Sequence, residues 1–332
     1  SIDTADCLVD FIEQNWNEDK LGITWFGGEP LLSSDIIDYI SNKLKEKSIE
    51  FGCKITTNAS LFDKRMIEKA VKSWNVEIIQ VTIDAIGTEY NNIKKYDSEY
   101  VDAFSDVIKN IKEILLHDLS VKIRINFDPN NQQKALEVMN YLLESFNNSK
   151  HLKFYFAPID ADDEIVKNIS LEFSEYNEHP YISLIKFGRK HNLYRGFPDM
   201  EDSVEYKSKF DANGILKKLK IYPSTTNCYA ACPNVLSIGP EGEIYKCHRT
   251  LGRKEYVCGN IRTGIDKNDA YSFFCNTDLS YDECSTCSIL PICQGGCKVN
   301  AEFYSGKKAC APSKAIIKDL ILLYREDLNK KS

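Results

Sequence analysis

No uninterrupted apolar run in these 332 residues approaches the ~20 that a bilayer-spanning helix requires. Nor is there a surplus of positive charge. Lys and Arg number 42 against 49 Asp and Glu, a net charge of −7, so nothing marks a nucleic-acid or anionic-membrane partner. The opening SIDTADCLVDFIEQNW has neither the basic start nor the pure apolar stretch of a signal peptide. Nothing points to export, and the expectation is a cytoplasmic protein. Composition also excludes wholesale disorder, because 43% hydrophobic with 27% charged residues is an ordinary globular balance. The length favours two domains, or one large α/β barrel.

Cysteine is nearly absent from the first two-thirds, where only Cys7 and Cys53 occur. The other ten of the twelve fall between residues 228 and 310. Such density, without a secretion signal, argues for metal ligation rather than disulfides. The chain divides functionally near residue 225.

Before that point, hydrophobic periodicity alternates between strand and helix. Leu8, Phe11 and Ile12 recur at helical spacing, and Ile23–Phe26 is a short apolar strand. Ile36, Ile37, Ile40 and Leu44 mark a helix behind Ser33 and Ser34, which read as caps. A strand at 51–56 precedes a helix over 63–73, with Met66, Ile67, Ala70 and Val71 on one face. Then come strand 76–83, helix 101–116, strand 120–127, helix 132–145, strand 152–157 and a helix around 175–191. Repeated βα units imply an α/β fold with a parallel sheet, open or curled into a partial (β/α) barrel. Ligands of such sheets bind at the carboxyl ends of the strands.

One of those ends carries Trp25-Phe26-Gly27-Gly28-Glu29-Pro30. Two glycines let the backbone approach a ligand closely, and Glu29 offers an acceptor to a cationic group. A tight turn with a solvated carboxylate is the equally weighted alternative. The cysteine spacing is more specific: Cys228-x3-Cys232-x14-Cys247, then Cys284-x2-Cys287-x5-Cys293-x3-Cys297-x12-Cys310. Eight thiolates suffice for two four-cysteine centres, either zinc or iron–sulfur. Gly295 and Gly296, inside the last short spacing, tilt the choice toward a bulky cluster. Cys258 and Cys275 fall outside the pattern and read as buried thiols.

Together, the strand-end Gly27-Gly28-Glu29-Pro30 and the cysteine-rich tail resemble the radical S-adenosylmethionine (SAM) enzymes that carry a SPASM domain. The resemblance covers nearly the whole chain. It implies a radical SAM partial barrel over 1–195, a linker over 196–225, a SPASM domain over 226–312 and a C-terminal helix over 313–332. It also implies how the cysteines divide. One auxiliary 4Fe–4S cluster would take Cys228, Cys232, Cys247 and Cys297; the other would take Cys284, Cys287, Cys293 and Cys310. Gly27, Gly28 and Glu29 match the motif that holds the amino group of SAM. Asn58, Thr82, Asp84, Arg124 and Asn126 lie where the family presents polar groups to cofactor or substrate, Arg124 being suited to the cofactor's carboxylate.

The family's defining Cys-x3-Cys-x2-Cys, ligand of the catalytic 4Fe–4S cluster, is absent from these residues. The expectation is that it belongs to a first strand and loop preceding residue 1. A degenerate, non-catalytic homologue is the alternative. For the complete enzyme the resemblance implies reductive cleavage of SAM to a 5′-deoxyadenosyl radical that oxidises a peptide or protein. The electron donor would be a flavodoxin or ferredoxin.

In the branch that converts a sulfatase Cys or Ser to formylglycine, an aspartate follows the cysteine equivalent to Cys247. Here His248 stands there. The expectation is therefore a maturase forming a thioether or carbon crosslink in a ribosomally made peptide, with His248 as a base near neutrality. An exposed surface histidine is the plain alternative. Formylglycine formation and a zinc-stabilised binding protein are the rival functions.

Overall fold

The structure is a computed structural model. It describes residues 1–96, 102–117, 119–127, 131–146, 149, 151–158, 182, 228–275, 282–288, 290, 296–303, 322 and 325. Helix α1 (Ile2–Asn15) leads into β1 (Leu21–Trp25), and a 3-10 turn (Pro30–Ser33) opens α2 (Ser34–Glu46). Then follow β2 (Phe51–Thr57), α3 (Lys64–Lys72), β3 (Val76–Thr82), α4 (Thr88–Lys94) and α5 (Ala103–Leu115). Strand β4 (Ser120–Phe127), α6 (Gln132–Phe146) and β5 (Leu152–Pro158) complete the unit. The five strands form one wholly parallel sheet in sequence order. Each helical connection returns the chain to the same sheet edge, so every strand starts at one end and presents its carboxyl end at the other.

Alternation decides which face is dry. In β4, Val121, Ile123, Ile125 and Phe127 are fully buried, while Ser120, Lys122, Arg124 and Asn126 lie half-buried on the opposite face. The dry face is covered by helices whose apolar stripes supply Ile37, Ile40, Leu44, Ile67, Val107 and Ile111. Helix starts are fixed by side-chain caps: Asp63 accepts from Met66 N, and Asp102 from Ser105 N.

Two expectations are corrected, and one helix was not foreseen. Ser33 occupies the cap position of α2 but makes no side-chain capping bond; the side-chain cap in this stretch is Glu29, at the start of the preceding 3-10 turn. Val71 is 45% exposed, and buried Trp74 takes its place, with Nε1 donating to Asp38 at 2.9 Å. Helix α4 went unread because its seven residues are mostly polar and too short for periodicity. The helix expected around 175–191 lies outside the described residues, apart from Ile182. So do 196–225 and, apart from Leu322 and Arg325, 313–332.

The cysteine-rich segment builds two small antiparallel hairpins. Strands β6 (Ser237–Ile238) and β7 (Ile244–Tyr245) pair, as do β8 (Gly259–Asn260) and β9 (Gly264–Ile265). Short helices α7 (Asp269–Cys275), α8 (Asp282–Ser285) and α9 (Lys298–Phe303) follow. This segment rests on the barrel unit. Phe11, Leu8 and Cys7 of α1 pack with Ile244, Cys258 and Ile261, and Asn234 donates to Glu18 at 3.2 Å. No helix among the described residues is long and apolar enough to cross a membrane.

Candidate active site

Strand β1 delivers Phe26, Gly27 and Gly28 to the carboxyl end of the sheet. A Cβ built on either glycine would meet nothing within 4 Å. Packing within the chain therefore does not demand glycine there. Side chains at these positions would project into open space beside the strand end, where a ligand's backbone-hugging groups would sit. Glu29 is tied down on the other side. Its Oε1 accepts from Leu31 N at 3.1 Å and from Thr57 Oγ1 at 2.8 Å, and its Oε2 accepts from Asn58 N at 2.9 Å. A carboxylate has about four acceptor sites, so three bonds fix its orientation and leave room for an ammonium.

Thr57, which the sequence reading passed over, is the hinge of this arrangement. Its Oγ1 donates to Glu29 and also accepts from Ala59 N at 3.0 Å. Ala59 is fully buried with φ of 62°, a left-handed conformation that costs a non-glycine residue about 1–2 kcal/mol. Asn110 holds it there, donating Nδ2 to Ala59 O at 2.9 Å and Ser60 O at 3.2 Å. Asn58 is at the site through its backbone N–H. Its side chain turns away, Oδ1 accepting from Ser60 N and Oγ.

The ends of β3 and β4 form a second polar group. Thr82 stands level with Arg124 across the strand pair. Asp84 Oδ1 accepts from Asn126 N at 3.1 Å, while Oδ2 pairs with Lys94 Nζ at 2.8 Å. Lys94, supplied by the unread helix α4, also sits 5.8 Å from the Tyr90 ring centre. Arg124 donates Nε to Asn126 Oδ1 at 2.8 Å. That bond fixes the guanidinium plane while its two terminal nitrogens remain suited to a bidentate carboxylate. Desolvation of Tyr90 pushes its phenol well above the ordinary range, so it contributes no anion here.

The cysteine-rich segment meets this site through His248. Its ring packs edge to face on Phe26, centres 5.4 Å apart. Partial desolvation, then the neighbouring Arg249 charge, push its pKa below the usual imidazole value. Cys247, the preceding residue, is raised by burial and further by the nearby thiols of Cys228 and Cys297. Cys228 and Cys232 bracket a single 3-10 turn, and Cys287 N closes a turn on Cys284 O at 3.1 Å. Cys293 and Cys310 lie outside the described residues. Cys258 is fully buried, its thiol 3.3 Å from Ile244 O, whereas Cys275 is only partly buried, contrary to the expectation for it.

Among the described residues no three Cys, His, Asp or Glu side chains converge tightly enough for a single metal ion.

Residues 2–150 match the Radical SAM superfamily. That match covers 149 of the 332 residues, most of the parallel-sheet unit. A curated relative, the radical SAM cyclopropyl synthase TigE of Paramaledivibacter caminithermalis, is 25% identical over 323 residues, covering 92% of this chain and 61% of its own length. The chain thus spans less than two-thirds of that relative. Among solved structures, native anSMEcpe with bound AdoMet superposes with a TM-score of 0.68 at 17% identity, covering 98% of this chain and 89% of its own. SuiB of Streptococcus suis bound to S-adenosylmethionine gives 0.53 at 17% identity, covering 90% and 67%. These likenesses establish the partial β/α barrel. Similarity to that superfamily implies SAM and a 4Fe–4S cluster, and the open glycine edge with the oriented Glu29 carboxylate has the chemistry to receive an ammonium.

Proposed function

We propose that the complete protein is a radical SAM peptide maturase that closes a thioether or carbon crosslink in a ribosomally made peptide. One observation carries this reading: Phe26, at the cofactor motif, packs on His248, which follows the cluster-type cysteine Cys247. That contact supports reading the cofactor end of the sheet and the cysteine-rich segment as parts of one site. The relatives favour a peptide substrate. Structures similar to this chain include anSMEcpe with a bound Cp18Cys peptide and SuiB with its precursor peptide SuiA. A cyclopropyl ring, in the name of the 25% identical relative, also closes through a carbon–carbon bond.

Bound SAM and the iron–sulfur clusters would supply the one-electron chemistry, removing a substrate hydrogen atom and accepting the electron left behind. The chain's own residues bind and orient. Glu29 receives the ammonium of the cofactor, with Leu31, Thr57 and Asn58 holding the carboxylate in place. Arg124 takes the cofactor carboxylate, fixed by Asn126, which Asp84 and Lys94 steady in turn. Cys228, Cys232, Cys247 and Cys297 would hold one auxiliary cluster, and Cys284, Cys287, Cys293 and Cys310 the other. His248 would accept the proton that leaves the peptide as the bond closes. With His248 where the formylglycine-forming branch carries aspartate, aldehyde formation is the weaker reading.

The test uses the complete protein, anaerobic and reduced, with SAM and small cysteine-containing peptides encoded nearby. A peptide that loses two hydrogen atoms per bond, with 5′-deoxyadenosine formed alongside, is the expected result. A hydrazine-reactive product would replace crosslinking by aldehyde formation. No 5′-deoxyadenosine from protein with verified clusters would remove the enzyme reading altogether.

A further inference from the structure

Lys246 is a buried amine whose hydrogen-bond partners among the described residues are all carbonyl oxygens. It follows β7, is 1% exposed, and immediately precedes Cys247. Its Nζ donates to Cys232 O at 2.6 Å and Val235 O at 2.7 Å, with Pro233 O at 3.5 Å and the Tyr271 ring centre at 5.4 Å. Three carbonyls and a ring face use the three N–H donors of an ammonium. Carbonyl dipoles solvate a charge but do not neutralise it, and a buried charge left without a counter-charge is strongly destabilising. Among the described residues no carboxylate lies within ion-pair distance of Lys246. The thiols of Cys275, Cys258 and Cys232 are the titratable groups that act on it, and the Cys258 thiol donates to Ile244 O at 3.3 Å.

One of those three, Cys232, belongs with Cys247, the next residue after Lys246, to the set that the family resemblance assigns to one cluster. Cys232 supplies its shortest bond, Cys247 is its neighbour in sequence, and Cys228 and Cys297 adjoin Cys247. We propose that Lys246 is the fixed counter-charge of the auxiliary cluster held by Cys228, Cys232, Cys247 and Cys297, raising that cluster's reduction potential while lacing Cys232 to β7. This rests on the cluster reading above. A four-thiolate 4Fe–4S cluster is net negative, and nearby charge is one of the levers that set its potential.

The experiment compares complete wild-type protein with Lys246→Met and Lys246→Arg, all purified anaerobically. Iron and zinc are counted, and the clusters are titrated potentiometrically by electron paramagnetic resonance. Full iron in all three, with one auxiliary cluster shifted to more negative potential in Lys246→Met and restored toward wild type in Lys246→Arg, is the expected result. Should Lys246→Met fail to assemble, Lys246→Gln is titrated in its place. Iron retained by Lys246→Arg but lost in both neutral variants would equally show that the charge is required. An unchanged potential at full iron, or equal iron loss in the arginine and neutral variants, would overturn the proposal. Zinc in place of iron in the wild type would instead overturn the cluster reading beneath it.

Discussion

Phe26 and His248 pack edge to face with ring centres 5.4 Å apart, joining the loop after β1 to the turn after β7. Such pairs contribute roughly 0.5–1.5 kcal/mol beyond area burial. The contact is therefore weak as a stabiliser and informative as a positioning device. Phe26→Ala should leave iron content unchanged and lower the thermal midpoint only slightly. Single-turnover peptide modification should slow markedly, because the imidazole loses the surface that orients it. His248→Gln should slow the same step with Phe26 intact. Equal rates in wild type and both variants would detach His248 from the chemistry.

The Glu29 carboxylate makes a sharper prediction. Glu29→Gln keeps the shape but replaces one acceptor oxygen by a donor, which must then face Asn58 N or the Thr57–Leu31 side. Charge-assisted hydrogen bonds contribute about 1.5–3 kcal/mol. SAM affinity of the cluster-loaded protein should fall about ten-fold or more by calorimetry. Thr57→Val, which removes one bond to Glu29 and the support of Ala59 N, should give a smaller loss of affinity and a measurable loss of stability.

The barrel unit was legible because each element obeys its own period. Val121, Ile123, Ile125 and Phe127 alternate as a strand with one dry face must, and the crossover helices carry uninterrupted stripes. What failed was local or distant. Val71 fits the helical stripe of α3, yet the apolar position is taken by Trp74, whose indole can bond Asp38. Lys94 lies on a helix too short to announce itself. Thr57 matters through a bond to Glu29, 28 residues away in sequence, and no periodicity encodes that. The site residues Asp84, Arg124 and Asn126 were readable as strand-end polar groups, but their mutual order, with Asn126 between the other two, exists only in the folded sheet. Asn58 meets Glu29 through its backbone N–H, while its side chain turns to Ser60, a distinction that no sequence pattern carries.

Gly259 should be hard to replace. Its φ is 129°, and a Cβ there would lie 2.3 Å from Gly264 O and 2.9 Å from Asp266 N, both backbone atoms. Neither can swing aside as a side-chain tip would. Gly259→Ala should break the β8–β9 pairing and displace Cys258 from its place against α1, where clashes of this kind cost several kcal/mol. The expected readout is loss of soluble protein or a large fall in the urea midpoint. Gly252→Ala serves as the control. Its φ of 82° is strained for alanine, yet a Cβ there meets nothing within 4 Å, so the penalty should be only about 1–2 kcal/mol.

Cys53 supplies the pH dependence. It lies in the middle of β2, paired between Ile23 and Val76, and burial pushes its thiol up to about 12. An unfolded cysteine titrates near 8.5. Below that pH both states hold the proton, so Cys53 adds no pH dependence there. Between about 8.5 and 12 the unfolded chain releases a proton that the folded chain keeps. The unfolded state then binds fewer protons, and stability must fall as pH rises. The slope contributed by this one thiol approaches about 1.4 kcal/mol per pH unit within that window. Two measurements check it. At pH 8, iodoacetamide should leave Cys53 unmodified in folded protein and alkylate it in urea. Urea midpoints at pH 7.5 and pH 10 should also separate the thiol from its neighbours: Cys53→Ala should be less stable than wild type at pH 7.5, because it opens a small cavity, yet lose less stability on going to pH 10. Parallel losses in the two proteins would show that Cys53 ionises in the folded state, and that β2 opens to solvent far more readily than its packing implies.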